Sequence, residues 1–257
     1  MLSKLLGSWE RMLVPRSLCI VGIGLALGIL GSAPAAFAVP SVFFGEDLGL
    51  GESTPLSAFP NASAARNSFL SGLVGVGTES FEGFASGTGA PLALSFPGAG
   101  TATLQGDGAV DVVPSGSTNS VGRYATDGTH YFETNSDTFS VDFSSPVAAF
   151  GFFGIDIGDF DGQVTLTTAG GLNQTFNIDN TIGAPGGSIL FWGLIDPDNT
   201  FTSATFGNTS AGVDFFGFDQ MTIGSRQQVA IPEPGTWLLL FIAGLFCLAA
   251  RRKMRTE

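Results

Sequence analysis

Apolar and polar residues alternate with a period of two through most of residues 78–224. Phe139, Val141 and Phe143 alternate with polar neighbours, and Val164 and Leu166 do the same. Such alternation gives each strand one face in a core and one in water. Asp-Gly and Gly-Gly pairs separate the runs and favour tight turns. The pattern predicts about a dozen short strands in an all-β, jelly-roll-like antiparallel sandwich over 78–224.

Two apolar stretches interrupt this alternation, at 147–157 and at 189–195. Continuous apolar runs of this length indicate strands buried on both faces, or strands with bulges. Most of the 24 phenylalanines lie within the predicted sandwich, whereas the two cysteines, Cys19 and Cys247, lie outside it. The phenylalanine-rich core must therefore stabilise the domain without a disulfide.

A helical period precedes the sandwich. Apolar residues recur on one helical face at Ala62, Ala65, Phe69, Leu70 and Leu73. This spacing predicts a short helix and a glycine-rich connector over 61–77, with Asn61 as the N-cap. The Gly-, Ser- and Pro-rich segment 39–60 is predicted to be a flexible leader, and 225–230 a linker.

The N-terminal 38 residues have the order of a signal peptide. Basic residues come first, an apolar helix follows at 18–30, and Ala36-Phe37-Ala38 forms an A-x-A cleavage site. The mature chain is expected to begin at Val39. The alternative, a transmembrane helix, is disfavoured because the run is short and ends in Gly-Ser-Ala-Pro.

The segment 231–257 combines Pro232-Glu233-Pro234, an apolar run over 237–250 and a basic cluster over 251–255. As a hydrophobic helix the run covers roughly 21 Å, less than the ~30 Å hydrocarbon core of a membrane. The basic cluster is expected to stay cytoplasmic. An ordinary C-terminal anchor is the alternative interpretation.

These three features together resemble the PEP-CTERM sorting tail of bacterial exported proteins, with Ile231 where that motif usually begins with Val. The resemblance implies an exosortase-type transpeptidase and the secretion machinery as partners. It also implies transient anchoring in the inner membrane through the C-terminal segment, and release to the cell surface or extracellular matrix.

Charge excludes one class of partner. Residues 39–230 contain 3 arginines, no lysine and 19 acidic residues, a net charge of −16. A surface this acidic repels nucleic acid and anionic lipid, so neither is an expected partner. Cations are the electrostatic partners it favours, although acidic residues also serve solubility.

A second resemblance covers residues 60–224. The segments 60–70, 78–84, 122–128, 141–152 and 215–219 are similar to uncharacterised exported β-sandwich domains that precede PEP-CTERM tails. Because such domains mostly lack an assigned activity, this resemblance implies no catalytic residues.

Catalytic motifs do not stand out. His130 is the single histidine, the sequence has no G-x-S-x-G elbow, and residues 39–230 contain no cysteine or second histidine for a zinc site. Many carboxylate pairs could in principle serve a glycosidase, among Glu79, Glu82, Asp107, Asp111, Asp156, Asp159 and Asp161. No pair is singled out by its spacing, so an enzyme is not predicted.

The sequence predicts no cofactor other than calcium, which the acidic residues favour. Asp156, Asp159 and Asp161 place three carboxylates within six residues between glycines, as a flexible calcium loop requires. A second candidate pair is Glu82 with Asp219, which the first and last strands of a jelly roll would bring together. Acidic residues that cap a hairpin turn are the alternative.

Glycan binding would need an exposed aromatic ring. Tyr124 and Tyr131 flank a turn and are the candidates, whereas Trp192 lies in an apolar run that indicates core packing.

The sequence therefore predicts a non-catalytic structural or adhesive protein of the cell surface or of an exopolysaccharide (biofilm) matrix. A Gram-negative host is expected, because PEP-CTERM systems accompany exopolysaccharide export. The alternative functions are a carbohydrate-binding module and a glycan-active hydrolase.

Overall fold

The computed structural model describes residues 40–158, 161–209 and 214–230. In these ranges α1 spans Pro60–Ser71 and a 3₁₀ helix spans Arg226–Gln228. The strands are β1 Ser41–Asp47, β2 Thr78–Glu79, β3 Leu92–Phe96, β4 Gly100–Gln105, β5 Ala109–Val112, β6 His130–Asn135, β7 Ser140–Val147, β8 Ala149–Ile155, β9 Gly162–Thr168, β10 Asn173–Asn177, β11 Ile189–Ile195, β12 Phe201–Asn208 and β13 Phe215–Gly224.

Two antiparallel sheets pack face to face. Sheet 1 has the strand order β1-β11-β8-β13-β6-β5, with β2 paired to β13, and sheet 2 has the order β10-β9-β12-β7-β4-β3. The predicted antiparallel β-sandwich with a preceding helix is confirmed. Aromatic rings fill the space between the sheets. Phe139 lies 4.7 Å from Phe206 and 5.0 Å from Phe218 between ring centroids, and Trp192 is completely buried, as its apolar run indicated.

Helix α1 explains why the central strands of sheet 1 are apolar on both faces. Phe152 of β8 packs into the core between the sheets, whereas Phe153 belongs to a second cluster under α1. Phe69 of α1 lies directly over Gly151 and Gly193, where an added Cβ would come within 3.0 and 2.9 Å of its ring. These two glycines therefore let the helix pack close to the sheet, and the doubly buried strands are confirmed.

Among the described residues, the outward-facing side chains of β9 and β10 in sheet 2 are exposed or half-buried, and both strands keep the simple alternation. Thr165 of β9 and Thr175 of β10 are cross-strand partners whose hydroxyl oxygens lie 2.9 Å apart. The polar half of the period-two pattern thus faces outward on sheet 2, as the alternation predicts.

The prediction of a loose leader over 39–60 is wrong for its first part. Residues Ser41–Asp47 form β1, which pairs along its whole length with β11 at the edge of sheet 1. Phe43 contacts Phe69 of α1 with ring centroids 5.7 Å apart. Burial of this phenylalanine against the helix outweighs the nearby glycine and proline signals.

Helix α1 is capped from a distant residue. Asp47, at the end of β1, accepts hydrogen bonds from the backbone N–H groups of Ala62 (2.9 Å) and Asn61 (3.3 Å). The predicted N-cap, Asn61, instead lies inside the helix, and its amide donates to the Glu46 carbonyl at 3.0 Å. Asp47 takes the capping role predicted for Asn61, because its carboxylate satisfies the free N–H groups of the first turn.

We expect Asp47→Ala to lower the free energy of unfolding by about 1 kcal/mol, since it removes a helix cap. Asp47→Asn keeps an acceptor oxygen and should cost clearly less. Urea unfolding of both variants checks the prediction, and equal losses would show that the cap is not the origin of the effect.

The segment 225–230 returns to the far end of α1 instead of acting as a free linker. Ala230 donates its N–H to the Gly72 carbonyl at 2.8 Å, and Val74 donates to the Gln228 carbonyl at 2.8 Å. The other end of the domain is close by, because Ser41 pairs with Ile195, which packs against Gly72. Both ends of the described domain therefore lie at the C-terminal end of α1.

Several predictions fall outside the described residues. They are the signal peptide with Ala36, Ala38 and Val39, and the C-terminal helix with Pro232, Glu233 and Pro234. Among the residues that are described, no helix has the length and apolar character needed to cross a membrane.

Candidate functional site

A cleft of about 540 Å³ opens at the N-terminal end of α1. Its walls come from residues 54–57, Phe59, 113–117 and 124–128. The volume falls in the range of small-molecule and glycan sites. The cleft thus lies at the opposite end of α1 from the two ends of the domain.

Tyr124 forms the floor of the cleft and is 4% exposed. Its hydroxyl donates to the Gly187 carbonyl and accepts from the Leu56 N–H, both at 2.9 Å. Burial raises the pKa of this hydroxyl to about 12. Tyr124 therefore ties the 54–57 wall to the loop before β11, and its ring is not an exposed platform for a sugar.

Tyr131 is also buried, with no exposed surface. Its hydroxyl donates to Asp111 at 2.9 Å, and burial raises its pKa above the ordinary value. The prediction that Tyr124 and Tyr131 offer exposed aromatic faces is wrong. The two residues flank a turn, but both side chains are buried at sheet 1.

Asp219 of β13 anchors the 124–128 wall from below. Its carboxylate is completely buried and accepts from Thr126 N–H (2.7 Å), Thr126 Oγ1 (2.6 Å) and Gln220 N–H (2.7 Å). Burial raises the pKa of Asp219 to about 7, although these hydrogen bonds favour the ionised form. A buried carboxylate with this many donors fixes the shape of the cleft wall.

Gln220 marks a bulge beside Asp219. Its φ is +44°, and the register of β13 against β8 shifts between Asp219 and Thr222. The Gln220 amide donates to Thr126 Oγ1 at 3.1 Å. Sequence analysis missed Thr126 and Gln220 as site residues. The one available signal was an Asp-Gln pair inside the apolar run of β13.

A smaller cavity of about 220 Å³ adjoins α1, and Phe59 lines both cavities. Its other lining residues are Ser63, Arg66, Asn67, Phe153 and Gln220. Arg66 Nε is buried and has no hydrogen-bond partner within the described part of the chain. Burial lowers the pKa of Arg66, whereas the carboxylates of Asp127 and Asp219 act to raise it.

Arg123 braces the loop between the cleft and β6. Its Nε lies 2.9 Å from Glu133 Oε2, and its Nη1 lies 3.2 Å from Asp156 Oδ2. Nη1 also donates to the Phe215 carbonyl at 3.1 Å. One guanidinium therefore links β6, β13 and the end of β8.

The predicted calcium ligands have separate partners. Asp156, with φ +67°, faces Arg123 and accepts from Gly187 N–H at 3.1 Å, while Asp161 accepts from the Thr209 hydroxyl. Asp159 lies outside the described residues. Among those that are described, no three Asp, Glu, His or Cys side chains form a metal-binding group. Calcium at this loop stays a prediction.

Glu82 and Asp219, the second predicted pair, are likewise bonded to different groups. Glu82 Oε1 accepts from the N–H groups of Thr129 (2.6 Å) and His130 (2.7 Å). Its Oε2 and the Thr129 hydroxyl both lie 3.0 Å from His130 Nδ1. A catalytic relay needs the nucleophile and the acid on opposite nitrogens of the ring, so this cluster does not form one.

Comparison with solved structures finds β-domains of slight similarity. The K2 cleaved adhesin domain of Lys-gingipain is 16% identical, with a TM-score of 0.34, over 58% of this chain and 97% of that domain. The CBM22-1 xylan-binding domain of Paenibacillus barcinonensis Xyn10C is 15% identical, with a TM-score of 0.35, over 61% and 96%. TmCBM61, solved with β-1,4-galactotriose, is 15% identical, with a TM-score of 0.29, over 57% and 94%.

Comparison with curated proteins finds no match. A family model does match the C-terminal segment, at residues 230–253. It begins where the described domain ends, beside Gly72, and includes Pro232-Glu233-Pro234. The chain therefore carries the PEP-CTERM protein-sorting motif, which implies export, exosortase processing and transient membrane anchoring through this segment.

Proposed function

We propose that this protein is a non-catalytic adhesive component of the cell surface or exopolysaccharide matrix of a Gram-negative bacterium. The tail is cut by exosortase near Pro232-Glu233-Pro234, and the jelly-roll-type sandwich then acts as a carbohydrate-binding module. The observation that carries this proposal is the cleft at the N-terminal end of α1, whose lining combines serine hydroxyls with apolar side chains.

The lining of the cleft suits a sugar. Hydroxyl groups from Ser57, Ser115 and Ser117 can exchange hydrogen bonds with sugar hydroxyls. Phe59 and Pro114 supply apolar surface for the C–H faces of the ring. Glycan sites commonly combine a few fixed polar groups with such apolar walls.

The position of the cleft also supports an adhesive role. The described chain ends at Ala230, hydrogen-bonded to Gly72, and the sorting segment follows directly. The cleft lies around Phe59, at the opposite end of α1. A 12-residue helix spans about 18 Å, so tethering through the C-terminal segment leaves the cleft facing away from the attachment point.

Binding of polysaccharide fragments to the mature exported protein tests the proposal. We expect Ser57→Leu with Ser115→Leu to weaken glycan binding about tenfold or more, because the variant fills the cleft and removes two hydroxyl groups. A glycan array followed by titration calorimetry measures the change.

The matched control is Ser68→Leu with Ser71→Leu, on the exposed side of α1. It makes the same chemical change away from the cleft and should leave affinity unaltered. Equal binding by both double variants would exclude the cleft as the glycan site. Turnover of a bound glycan would contradict the non-catalytic role.

A further inference from the structure

We propose that the small cavity beside α1 is an acidic-sugar subsite of the cleft, in which Arg66 binds the carboxylate of a uronic acid residue. The inference rests on the proposed function, because it specifies the class of polysaccharide that the cleft accepts. An acidic exopolysaccharide is the partner that this chemistry recognises.

Arg66 differs from the other arginines of the domain. Arg123 has two carboxylate partners within 3.2 Å, and Arg226 has Asp198 at 3.5 Å. Arg66 forms no ion pair with any residue in the described ranges, although residues 39–230 contain 19 acidic groups and 3 basic ones. A guanidinium left unpaired among so many carboxylates is available to a ligand.

The buried Nε of Arg66 gives a second, independent observation. An N–H donor that has lost water and gained no acceptor is costly to the folded protein. The hydrogen bonds of Asp219 go to Thr126 and Gln220, and Asp127 is exposed to solvent. Because Arg66 lines the small cavity, a carboxylate bound there would supply the guanidinium with the negative partner that these neighbours do not provide.

The charged groups around Arg66 also favour binding of an anionic ligand. Burial lowers the pKa of Arg66 more than Asp127 and Asp219 raise it, so the nearby carboxylates only partly offset the cost of burying the cation. A third negative group in direct contact would stabilise the guanidinium through charge-assisted, bidentate hydrogen bonds. The net charge of −16 opposes this only weakly, since screening at physiological salt acts over about 8 Å.

The lining of the cavity, which has a volume of about 220 Å³, combines apolar and polar groups that suit one sugar residue of a longer chain. Phe59 and Phe153 form apolar walls, while Asn67 and Gln220 add side-chain amides. Because Phe59 also lines the larger cleft, the neighbouring sugars can continue there. The subsite thus binds the acidic group of one sugar residue, and the cleft binds the rest of the polysaccharide.

Titration calorimetry with an oligogalacturonate and with its fully methyl-esterified, uncharged form tests the subsite. We expect the mature protein to bind the acidic form about tenfold or more tightly. Arg66→Gln should abolish that preference. Arg66→Lys keeps the positive charge but cannot form the two parallel hydrogen bonds of a guanidinium, so it should retain only part of the preference. Arg226→Gln makes the same charge change at an exposed position and should keep the full preference.

The outcomes separate this inference from the proposed function. Equal binding of both oligosaccharides by the wild type and by Arg66→Gln would overturn the subsite and leave glycan binding intact. Failure of the wild type to bind any glycan would overturn both. Binding of an acidic peptide of matched charge as tightly as the oligogalacturonate would show a general anion site and reject the assignment to sugar.

Discussion

Asp219→Ala should lower the free energy of unfolding by about 3–5 kcal/mol at pH 5, a loss large enough to threaten the fold. The variant removes the acceptor from two N–H groups and one hydroxyl, which Asp219 satisfies at 2.6–2.7 Å. These donors belong to Thr126 and Gln220, next to the cleft. Urea unfolding gives the stability, and amide hydrogen exchange of Thr126 reports whether the cleft wall loosens.

The pH dependence follows from the raised pKa of Asp219. Burial moves it from 3.8 to about 7, so the folded state holds the proton more tightly than the unfolded chain. The stabilising contribution is complete below pH 3.8 and is lost as pH rises through about 7, which amounts to about 4 kcal/mol. The cost of Asp219→Ala should therefore shrink between pH 5 and pH 8.

Two control variants show whether this pH dependence comes from the carboxyl group of Asp219. Asp219→Asn does not titrate, so its stability profile should lack the decline between pH 4 and pH 7 that we expect for the wild type. Asp127→Ala alters an exposed carboxylate and should cost less than about 0.5 kcal/mol. A wild-type profile parallel to that of Asp219→Asn would show that Asp219 is ionised throughout this range.

The sandwich could be predicted because a strand with one face in the core and one in water needs alternating apolar and polar residues. On β7, Val141 and Phe143 are buried between exposed or half-buried polar neighbours, and on β9 Val164 and Leu166 are buried in the same way. The continuous run of β11 also predicted burial on both faces. The local sequence of these strands did not reveal that α1 is the element that covers the outer face of sheet 1.

The details of the candidate site could not be predicted because they depend on pairings between distant residues. Asp47 caps a helix that begins 13 positions later, and Thr126 meets Asp219 across 93 positions. Tyr124 flanks a polar turn, so its local sequence indicated exposure, whereas its hydroxyl bonds to two distant backbone groups and the side chain is buried. Arg66 occupies the predicted helix, but nothing in the sequence reveals that it forms no ion pair within the described part of the chain.

Arg123→Ala should also cost about 3–5 kcal/mol at pH 7, because it leaves two half-buried carboxylates without their cation. The Arg123 side chain is only 12% exposed, and Asp156 is 14% exposed. Glu133 would keep Asn119 as a donor at 2.8 Å, but the repulsion between Glu133 and Asp156 would no longer be offset. Urea unfolding at pH 7 measures the loss.

Removing the charge of Glu133 as well should relieve part of this damage. The loss caused by Arg123→Ala is expected to be smaller in a Glu133→Gln background than in the wild type. Arg226→Ala is the control, because that arginine is 60% exposed and a surface ion pair contributes only about 0–1 kcal/mol. A loss for Arg123→Ala that was the same in both backgrounds would mean that Arg123 acts through packing and its bond to the Phe215 carbonyl, not through its pairing with Glu133.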